Sequence, residues 1–323
     1  MNTDKATAVR EAIMKSISMM GLNFAQYGFL VFAGILPLTL PDGTRYVVLP
    51  DIHSPAHNKR LMWAIKQFLA WYKPDILIFI GDLADIFALS RHPKQLRVVS
   101  NAQMEFDVTR RLVDELIEVS GAAWSFIIPG NHEDRVYRFL QDMAPQLGSI
   151  VDPHSREPLS FHSLMGYTDN DPVTFLYGTE LRGGYEGGLL INNDLGFHHG
   201  IIVAPKPGVS PMRDMERWSR SIAHGHTHRL GLVSRDVTPS DEMIASVIRG
   251  YELGMLVDMD HAYMAYAKQM WPNWHPGFAV GTVHNGVNHI QPVSIAPILT
   301  DGKKGHSKLG FVWDGKVFTE SDR

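Results

Sequence analysis

The chain has 323 residues, 45% of them hydrophobic and 20% charged, which is the composition of a folded globular protein long enough to bury a large core. Its formal net charge of −4 excludes the overall excess of lysine and arginine that proteins coating long nucleic acids carry, so any contact with nucleic acid must be local. The absence of cysteine excludes disulfides and thiolate ligands, and a metal site must therefore use nitrogen and oxygen donors.

The first 43 residues predict a helix over residues 3–20 followed by a lead-in strand. The apolar stretch GFLVFAGILPLTL at 28–40 has 13 residues, fewer than the about 20 needed to span a bilayer, and it contains a proline. As a signal sequence it would lack an A-x-A-like cleavage site, and Asp4 and Glu11 lie in the segment before it. We therefore expect a cytoplasmic protein without membrane association.

The middle of the chain alternates predicted strands and helices. The apolar runs RYVVLP, DILIFI and WSFII predict three strands, and apolar residues at helical spacing predict helices over about 57–73 and 101–119. This β-α-β-α-β order with continuous apolar strands indicates a parallel sheet covered by helices. In such sheets ligands bind beyond the carboxyl ends of the strands.

The second half has glycine-rich turns, one short predicted helix near 213–221, and predicted strands from about residue 244 onward. These strands are MIASVI, GFAVGTVH, HIQPVSI and LGFVWDG. We predict a single domain over 1–323, in which 44–230 carries the polar motifs described next. The C-terminal part, 231–323, is expected to supply strands of a second, more antiparallel sheet.

Five polar motifs follow or end apolar runs. They are Asp51-Ile52-His53, Gly81-Asp82-Leu83-Ala84-Asp85, Gly130-Asn131-His132-Glu133, His198-His199-Gly200 and Gly225-His226-Thr227-His228. Carboxylates, an amide oxygen and imidazoles together make a first coordination shell for borderline divalent metals. In extended backbone, residues two apart point the same way, which predicts that Asp51 and His53 grip one ion and that His226 and His228 do the same.

In this order the motifs D-x-H, G-D-x-x-D, G-N-H-E, H-G and G-H-T-H resemble those of the calcineurin-like metallophosphoesterase superfamily over residues 51–228. The stretches DIHSPAH, LSRHPK, GNHEDRVYRFL and GHTHR are most similar to its compact bacteriophage members. The resemblance implies an α/β fold, a four-layer α/β/β/α sandwich of two mixed β-sheets flanked by helices. It also implies two divalent metal ions, manganese first, with iron or zinc as alternatives.

The resemblance implies a role for each motif residue. One metal would be held by Asp51, His53, Asp82 and His228, and a second by the bridging Asp82 with Asn131, His199 and His226. His132, oriented by Asp85, would protonate the leaving oxygen while a metal-bridging hydroxide attacks phosphorus in line. His198 and His199 compete for one ligand role because adjacent strand residues face opposite sides. The family's ligand directly precedes the glycine, which favours His199.

The resemblance implies a phosphate ester as the substrate, and a phosphodiester of a nucleotide or nucleic acid is favoured because the stretches 91–97 and 204–229 are locally basic and would attract a polyanion. Arg91, Arg135 and Arg229 are candidates for holding the phosphate, and solvated surface arginines are the alternative. The family's protein-phosphatase branch has arginine and glycine directly after G-D-x-x-D, where this chain has Ile86 and Phe87, which argues against a phosphoprotein substrate.

Two alternatives to a phosphodiesterase remain at this point: a small-molecule phosphomonoesterase, and a non-catalytic interaction scaffold on the same fold. A cluster of Trp271, Trp274 and Phe278 is expected to pack in the core more often than to stack on bases. The oligomeric state has no signal in the sequence.

Overall fold

The structure is a computed structural model that describes residues 3–20, 31–91, 100–151, 158–168, 171–177, 187–237, 246–268, 273–299 and 307–320. In chain order these residues form α1 (Thr3–Met19), β1 (Val31–Ala33), β2 (Ile35–Leu38), β3 (Arg45–Leu49), α2 (Lys59–Tyr72), β4 (Ile76–Ile80), α3 (Ala102–Ser120), β5 (Trp124–Ile128), α4 (Asp134–Met143), α5 (Phe161–Met165), β6 (Val173–Tyr177), β7 (Gly188–Ile191), β8 (Leu195–His198), α6 (Val209–Trp218), β9 (Ser221–His224), β10 (Leu230–Val237), β11 (Ser246–Leu253), α7 (Ala265–Lys268), β12 (Gly277–His284), β13 (Val287–Ser294), β14 (Ala296–Leu299), β15 (Ser307–Trp313) and β16 (Lys316–Thr319). None of these helices is both long and apolar enough to cross a membrane.

The described strands form three sheets. The first has seven strands in the order β1-β6-β5-β4-β3-β12-β13. Strands β1, β6, β5, β4 and β3 are parallel to one another, β12 pairs antiparallel with β3, and β13 pairs antiparallel with β12. The second has six strands in the order β10-β11-β9-β8-β7-β2 and is also mixed. A small antiparallel sheet, β14-β15-β16, contacts α2.

Alternating strand residues build two cores on the two faces of the first sheet. Val47 and Leu77 face one way and join a core with α2 and α3, while Val48 and Ile78 face the other way and pack against the second sheet. Helix α6 contacts β9 and β11 of the second sheet. The predicted four-layer architecture of two mixed sheets flanked by helices is therefore confirmed.

Helices α2 and α3, which pack on the first sheet, both begin at asparagine caps. The side-chain oxygens of Asn58 and Asn101 accept backbone N–H bonds of 3.1 Å from the first turns of α2 and α3, which satisfies amides that have no partner inside the helix. The helices end at Lys73 and Gly121, both in the left-handed conformation. The predicted helices over 57–73 and 101–119 are confirmed to within two residues.

The placement of the C-terminal strands differs from the prediction. Strands β10 and β11 do belong to the second sheet, but β12 and β13 extend the first sheet, and β14 to β16 form the third. Strand β12 pairs with the edge of β3 that lies opposite β4. Nearly all of its residues are buried, which suits an interior position in the sheet. An apolar run predicts that a strand is buried but carries no information about which sheet edge will bury it.

Candidate metal centre

The loops that follow β3, β4, β5, β8 and β9 bring the five motifs to one place between the two large sheets. Among the described residues, three overlapping groups each have donor atoms within 4.8 Å of one another. They are Asp51, His53, Asp82 and His228, then Asp82, His199 and His226, and then His53, Asp85 and His132. We call them the first, second and third donor groups, and we call the residues of all three together the cluster. Buried donors gathered in this way are compatible with binding divalent metal.

The first donor group has its imidazole and carboxylate donors at contact distance. His228 Nε2 lies 3.1 Å from His53 Nε2 and 3.1 Å from Asp51 Oδ1, and His53 Nε2 lies 3.7 Å from Asp82 Oδ2. Such a set of lone pairs suits a cation, because buried carboxylates without counter-charge are costly. Burial raises the pKa of Asp82, yet His132 and His199 outweigh it and keep that pKa well below its ordinary value.

The second donor group shares Asp82 with the first through the other carboxylate oxygen. His199 Nε2 lies 3.4 Å from Asp82 Oδ1, 3.1 Å from His226 Nδ1 and 3.1 Å from the side-chain oxygen of Asn131. The other ring nitrogen of His199 lies 3.1 Å from the carbonyl oxygen of Ile80, which fixes the ring. Asn131, a predicted ligand, therefore stands beside this group.

The backbone at five of the predicted ligands is left-handed and not extended. Asp51, His53, Asp82, His226 and His228 all have positive φ, between 43° and 64°. The argument from strand alternation was therefore wrong, although Asp51 and His53 do share the first donor group as it predicted. The prediction fails for His226 and His228, which join different donor groups. Sparsely populated backbone of this kind is typical of functional sites.

Glycines beside the donors leave the space that the donor side chains occupy, and Gly81 and Gly130 are two of them. A Cβ atom on Gly81, whose φ is 88°, would lie 2.2 Å from His199 Nδ1. A Cβ atom on Gly130 would lie 2.3 Å from Asp82 Oδ1. Any side chain at either position would therefore displace a donor.

Glu133 joins the loops after β4 and β5, a role that the sequence analysis missed. Its carboxylate accepts hydrogen bonds from the backbone N–H groups of Asp82 at 3.0 Å, Ala84 at 2.8 Å and Gly130 at 2.6 Å. Burial and the charge of Asp82 raise its pKa to about 7. In the sequence, the acid directly after G-N-H could have indicated this role, because a carboxylate that is buried at a loop needs several hydrogen-bond donors.

His132 lies at the edge of the cluster, between Asp85 and Arg135. Its Nδ1 is 3.0 Å from the carbonyl oxygen of Asp85 and 3.3 Å from Asp85 Oδ1, and Arg135 Nη2 is 2.9 Å from its Nε2. Because a guanidinium only donates, Nε2 accepts and Nδ1 carries the proton in this arrangement. Burial lowers the pKa of His132, but the Asp82 and Asp85 carboxylates outweigh it and raise the pKa above its ordinary value.

His198 points away from the cluster. Its ring stacks on Trp218 at 5.2 Å, and its Nε2 lies 3.5 Å from Asp214 Oδ2, both of them residues of α6. His199 occupies the second donor group instead.

The three arginines predicted for phosphate binding lie in different surroundings. Arg135 contacts His132 and Asp85 at the cluster, and Arg91 is exposed and pairs with Asp142. Arg229 Nη1 donates to the carbonyl oxygen of Ala204 at 2.8 Å.

Other predicted residues have mixed outcomes. All of the basic stretch 91–97 except Arg91 lies outside the described residues, and so does Trp271. Phe278 packs in the core between the first sheet and α2, as expected, and the half-buried Trp274 contacts the ring of His228 at 4.2 Å.

Comparison with known proteins agrees with the motifs. The chain is 28% identical to the Gene 54 protein of Mycobacterium phage D29 over 84% of this chain and 98% of that protein, and 27% identical to the Gene 54 protein of Mycobacterium phage L5 over 79% and 94%. Similar solved structures include Vacuolar Protein Sorting 29 from Cryptosporidium parvum, with a TM-score of 0.39 and 17% identity over 86% of this chain and 100% of that one. Vps29 from Entamoeba histolytica, solved as a complex with zinc, has a TM-score of 0.38 and 13% identity over 83% and 98%. The calcineurin-like phosphoesterase family model matches residues 44–234, more than half of the sequence, and the chain therefore belongs to the calcineurin-like phosphoesterase family.

Proposed function

We propose that the protein hydrolyses a phosphate ester with two divalent cations bound, manganese being the first choice and iron or zinc the alternatives. The observation that supports two cations is the position of Asp82, whose Oδ2 lies 3.7 Å from His53 Nε2 and whose Oδ1 lies 3.4 Å from His199 Nε2. A carboxylate that offers one oxygen to each donor group can bridge two ions. Membership of the phosphoesterase family supports the class of reaction.

The buried donors fit such ions, because they combine several carboxylates with imidazoles that can bind metal through a neutral ring. We assign one ion to Asp51, His53, Asp82 and His228, and the other to Asp82, Asn131, His199 and His226. When bound, the ions neutralise the buried acids, polarise the phosphate and lower the pKa of the attacking water.

We assign His132 the proton transfer. Hydrolysis joins the oxygen of water to phosphorus and breaks the bond to the leaving oxygen, which must take up a proton. His132 Nε2 lies 3.8 Å from Asp82 Oδ2, at the edge of the cluster, and Asp85 fixes the ring through Nδ1. Arg135 donates to the same Nε2, so a protonated His132 requires the guanidinium to turn away. The N–H groups of the Arg135 guanidinium can then contact the phosphate oxygens.

We favour a phosphodiester over a phosphomonoester or a phosphoprotein. After the G-D-x-x-D motif, Ile86 is buried and Phe87 stacks on Tyr263 at 4.2 Å, so these positions offer no phosphate ligand. Exposed arginines lie beside the cluster, which favours a substrate with further negative charge.

The test is turnover of two chromogenic esters by protein loaded with Mn²⁺. We expect cleavage of bis-p-nitrophenyl phosphate, with slower cleavage of p-nitrophenyl phosphate. Asp82→Asn should abolish both activities and lower the bound metal, because it weakens a ligand shared by both groups. Asp107→Asn, the same change on the exposed face of α3, is the matched control and should behave as the unaltered protein.

A protein that binds two equivalents of metal and turns over no mono- or diester would refute the proposal. That outcome would favour the scaffold alternative. Faster cleavage of the monoester than of the diester would keep the metal assignment and overturn the preference for a diester.

A further inference from the structure

A pocket of about 480 Å³ opens beside the cluster at Asn131. One wall is a face of α4 that carries Arg135, Arg138, Phe139 and Met143, and the other is the segment 88–91. Its volume lies within the range of about 300–1,000 Å³ of small-molecule sites. We call it the α4 groove.

The groove begins at the side of the cluster where we propose that the leaving group lies, and it extends from there along α4. Residues three, four, seven and eight apart share one face of a helix, so Arg135, Arg138, Phe139 and Met143 form one row. Arg135 contacts His132 Nε2 at one end, and Met143 lies about 12 Å further along the helix axis at 1.5 Å per residue. A group attached to the leaving oxygen would therefore extend along this row.

The arginines of the groove can accept a new anion. Arg91 pairs with Asp142 while both side chains are largely exposed, and exposed pairs of this kind contribute little stability. Arg138 contacts Asp134 through Nε at 2.5 Å, which leaves its terminal amines to face a phosphate. Three of the residues that line the groove are arginines and one, Asp142, is an acid, while Arg135 and Arg138 also contact Asp85 and Asp134 outside the lining.

Apolar side chains stand among these cations. Phe139 and Met143 both line the pocket, and their side chains are 36% and 69% exposed. Scattered apolar residues are ordinary on a surface, but here an aromatic ring and a flexible thioether follow two arginines on one helix face, so a base and a phosphate of one nucleic-acid strand could be held side by side. Stacking on aromatic side chains is the common way in which proteins hold such bases without reading their sequence.

We propose that the α4 groove binds the leaving-group nucleoside and the next phosphate of a single-stranded nucleic acid, with the base on Phe139 and the phosphate on Arg138. The inference rests on the proposed function and specifies its substrate. The oxygen of water bonds to phosphorus, the bond to the nucleoside oxygen breaks, and that oxygen takes the proton of His132. The proton that the water loses restores His132 through solvent. The products are a phosphomonoester end and a nucleoside with a free hydroxyl.

The test compares short oligothymidylate with bis-p-nitrophenyl phosphate, which has no nucleoside, under Mn²⁺. Phe139→Ala should lower kcat/KM on oligothymidylate by about 5- to 150-fold, the range measured for loss of one base stack, and leave the small diester within about twofold. Arg138→Gln should act in the same direction and weaken the salt dependence. Trp63→Ala and Arg111→Gln, exposed on α2 and α3, are the matched controls.

Equilibrium binding supplies a readout independent of turnover. Fluorescence anisotropy of labelled oligothymidylate with EDTA should show weaker binding by Phe139→Ala than by Trp63→Ala. Equal binding by these variants, or equal loss on both diesters, would overturn the groove assignment. If the unaltered protein cleaves neither diester, the proposed function fails instead, so the two failures are distinguishable.

Discussion

Replacing His132 by alanine separates two roles that the geometry offers this residue. In one, the ring protonates the leaving oxygen. In the other, it binds metal with His53 and Asp85 in the third donor group, where His53 Nδ1 lies 3.9 Å from Asp85 Oδ2 and neither atom has a hydrogen-bond partner in the described part of the chain. The first role predicts loss of activity with metal retained, and the second predicts loss of both.

The expected size of the effect depends on the leaving group. A positioned general acid contributes about 10²- to 10⁴-fold, which is about 3–5 kcal/mol of the barrier at 1.36 kcal/mol per tenfold. A nucleoside alkoxide needs that proton, so His132→Ala should lose the full amount on oligothymidylate. A p-nitrophenolate is stable without it, so the rate on bis-p-nitrophenyl phosphate should fall much less.

The assay measures kcat on both diesters and bound metal by mass spectrometry after dialysis. The Asp82 and His53 donors stay in place in the variant, and we expect unchanged metal content. His284→Ala, an exposed histidine on β12, is the matched control. Loss of metal together with activity, or an equal loss on both diesters, would refute the assignment of His132 as the proton donor.

Three further outcomes follow from the site. Glu133→Gln leaves at least one of three buried backbone amides without its acceptor and should destabilise the fold by about 1–3 kcal/mol, measured by urea unfolding; an unchanged midpoint would show that these hydrogen bonds contribute little. Gly81→Ala would place a methyl carbon 2.2 Å from His199 Nδ1 and should lower metal affinity at least tenfold in calorimetric titrations, whereas a normal affinity would show that the loop adapts. Burial lowers the pKa of His199, but Asp82 raises it to about 9, so metal binding must release this proton; affinity should rise with pH up to about 9, and a flat profile would contradict the reasoning.

The sequence was sufficient for the part of the site that depends on strand ends. Three apolar runs that each stop at an acid or amide predicted parallel strands, and parallel strands deliver their carboxyl ends to one edge. Asp51, Asp82 and Asn131 meet there because the topology requires it. The side-chain directions could not be obtained in this way, because the loops turn through positive φ at Asp51 and Asp82, where strand alternation no longer applies.

Proximity along the chain was a poor guide to which arginines line the α4 groove. Arg229 directly follows the predicted ligand His228, yet its guanidinium donates to the carbonyl oxygen of Ala204. Arg138 was not singled out, although its spacing from Arg135 in GNHEDRVYRFL is that of one helix face. The missing step was to predict helix α4, whose periodicity was present in the sequence.

The position of the cluster between the layers has a mechanical consequence. Asp51 and Asp82 come from the first sheet, and His199, His226 and His228 come from the second, while the two sheets otherwise meet largely through apolar packing. An ion held from both sides would act as a cross-link that resists sliding of one layer over the other. Amide hydrogen exchange in β8 and β9 should therefore slow when the ion is bound, which would make the stiffness of the sandwich depend on its metal supply.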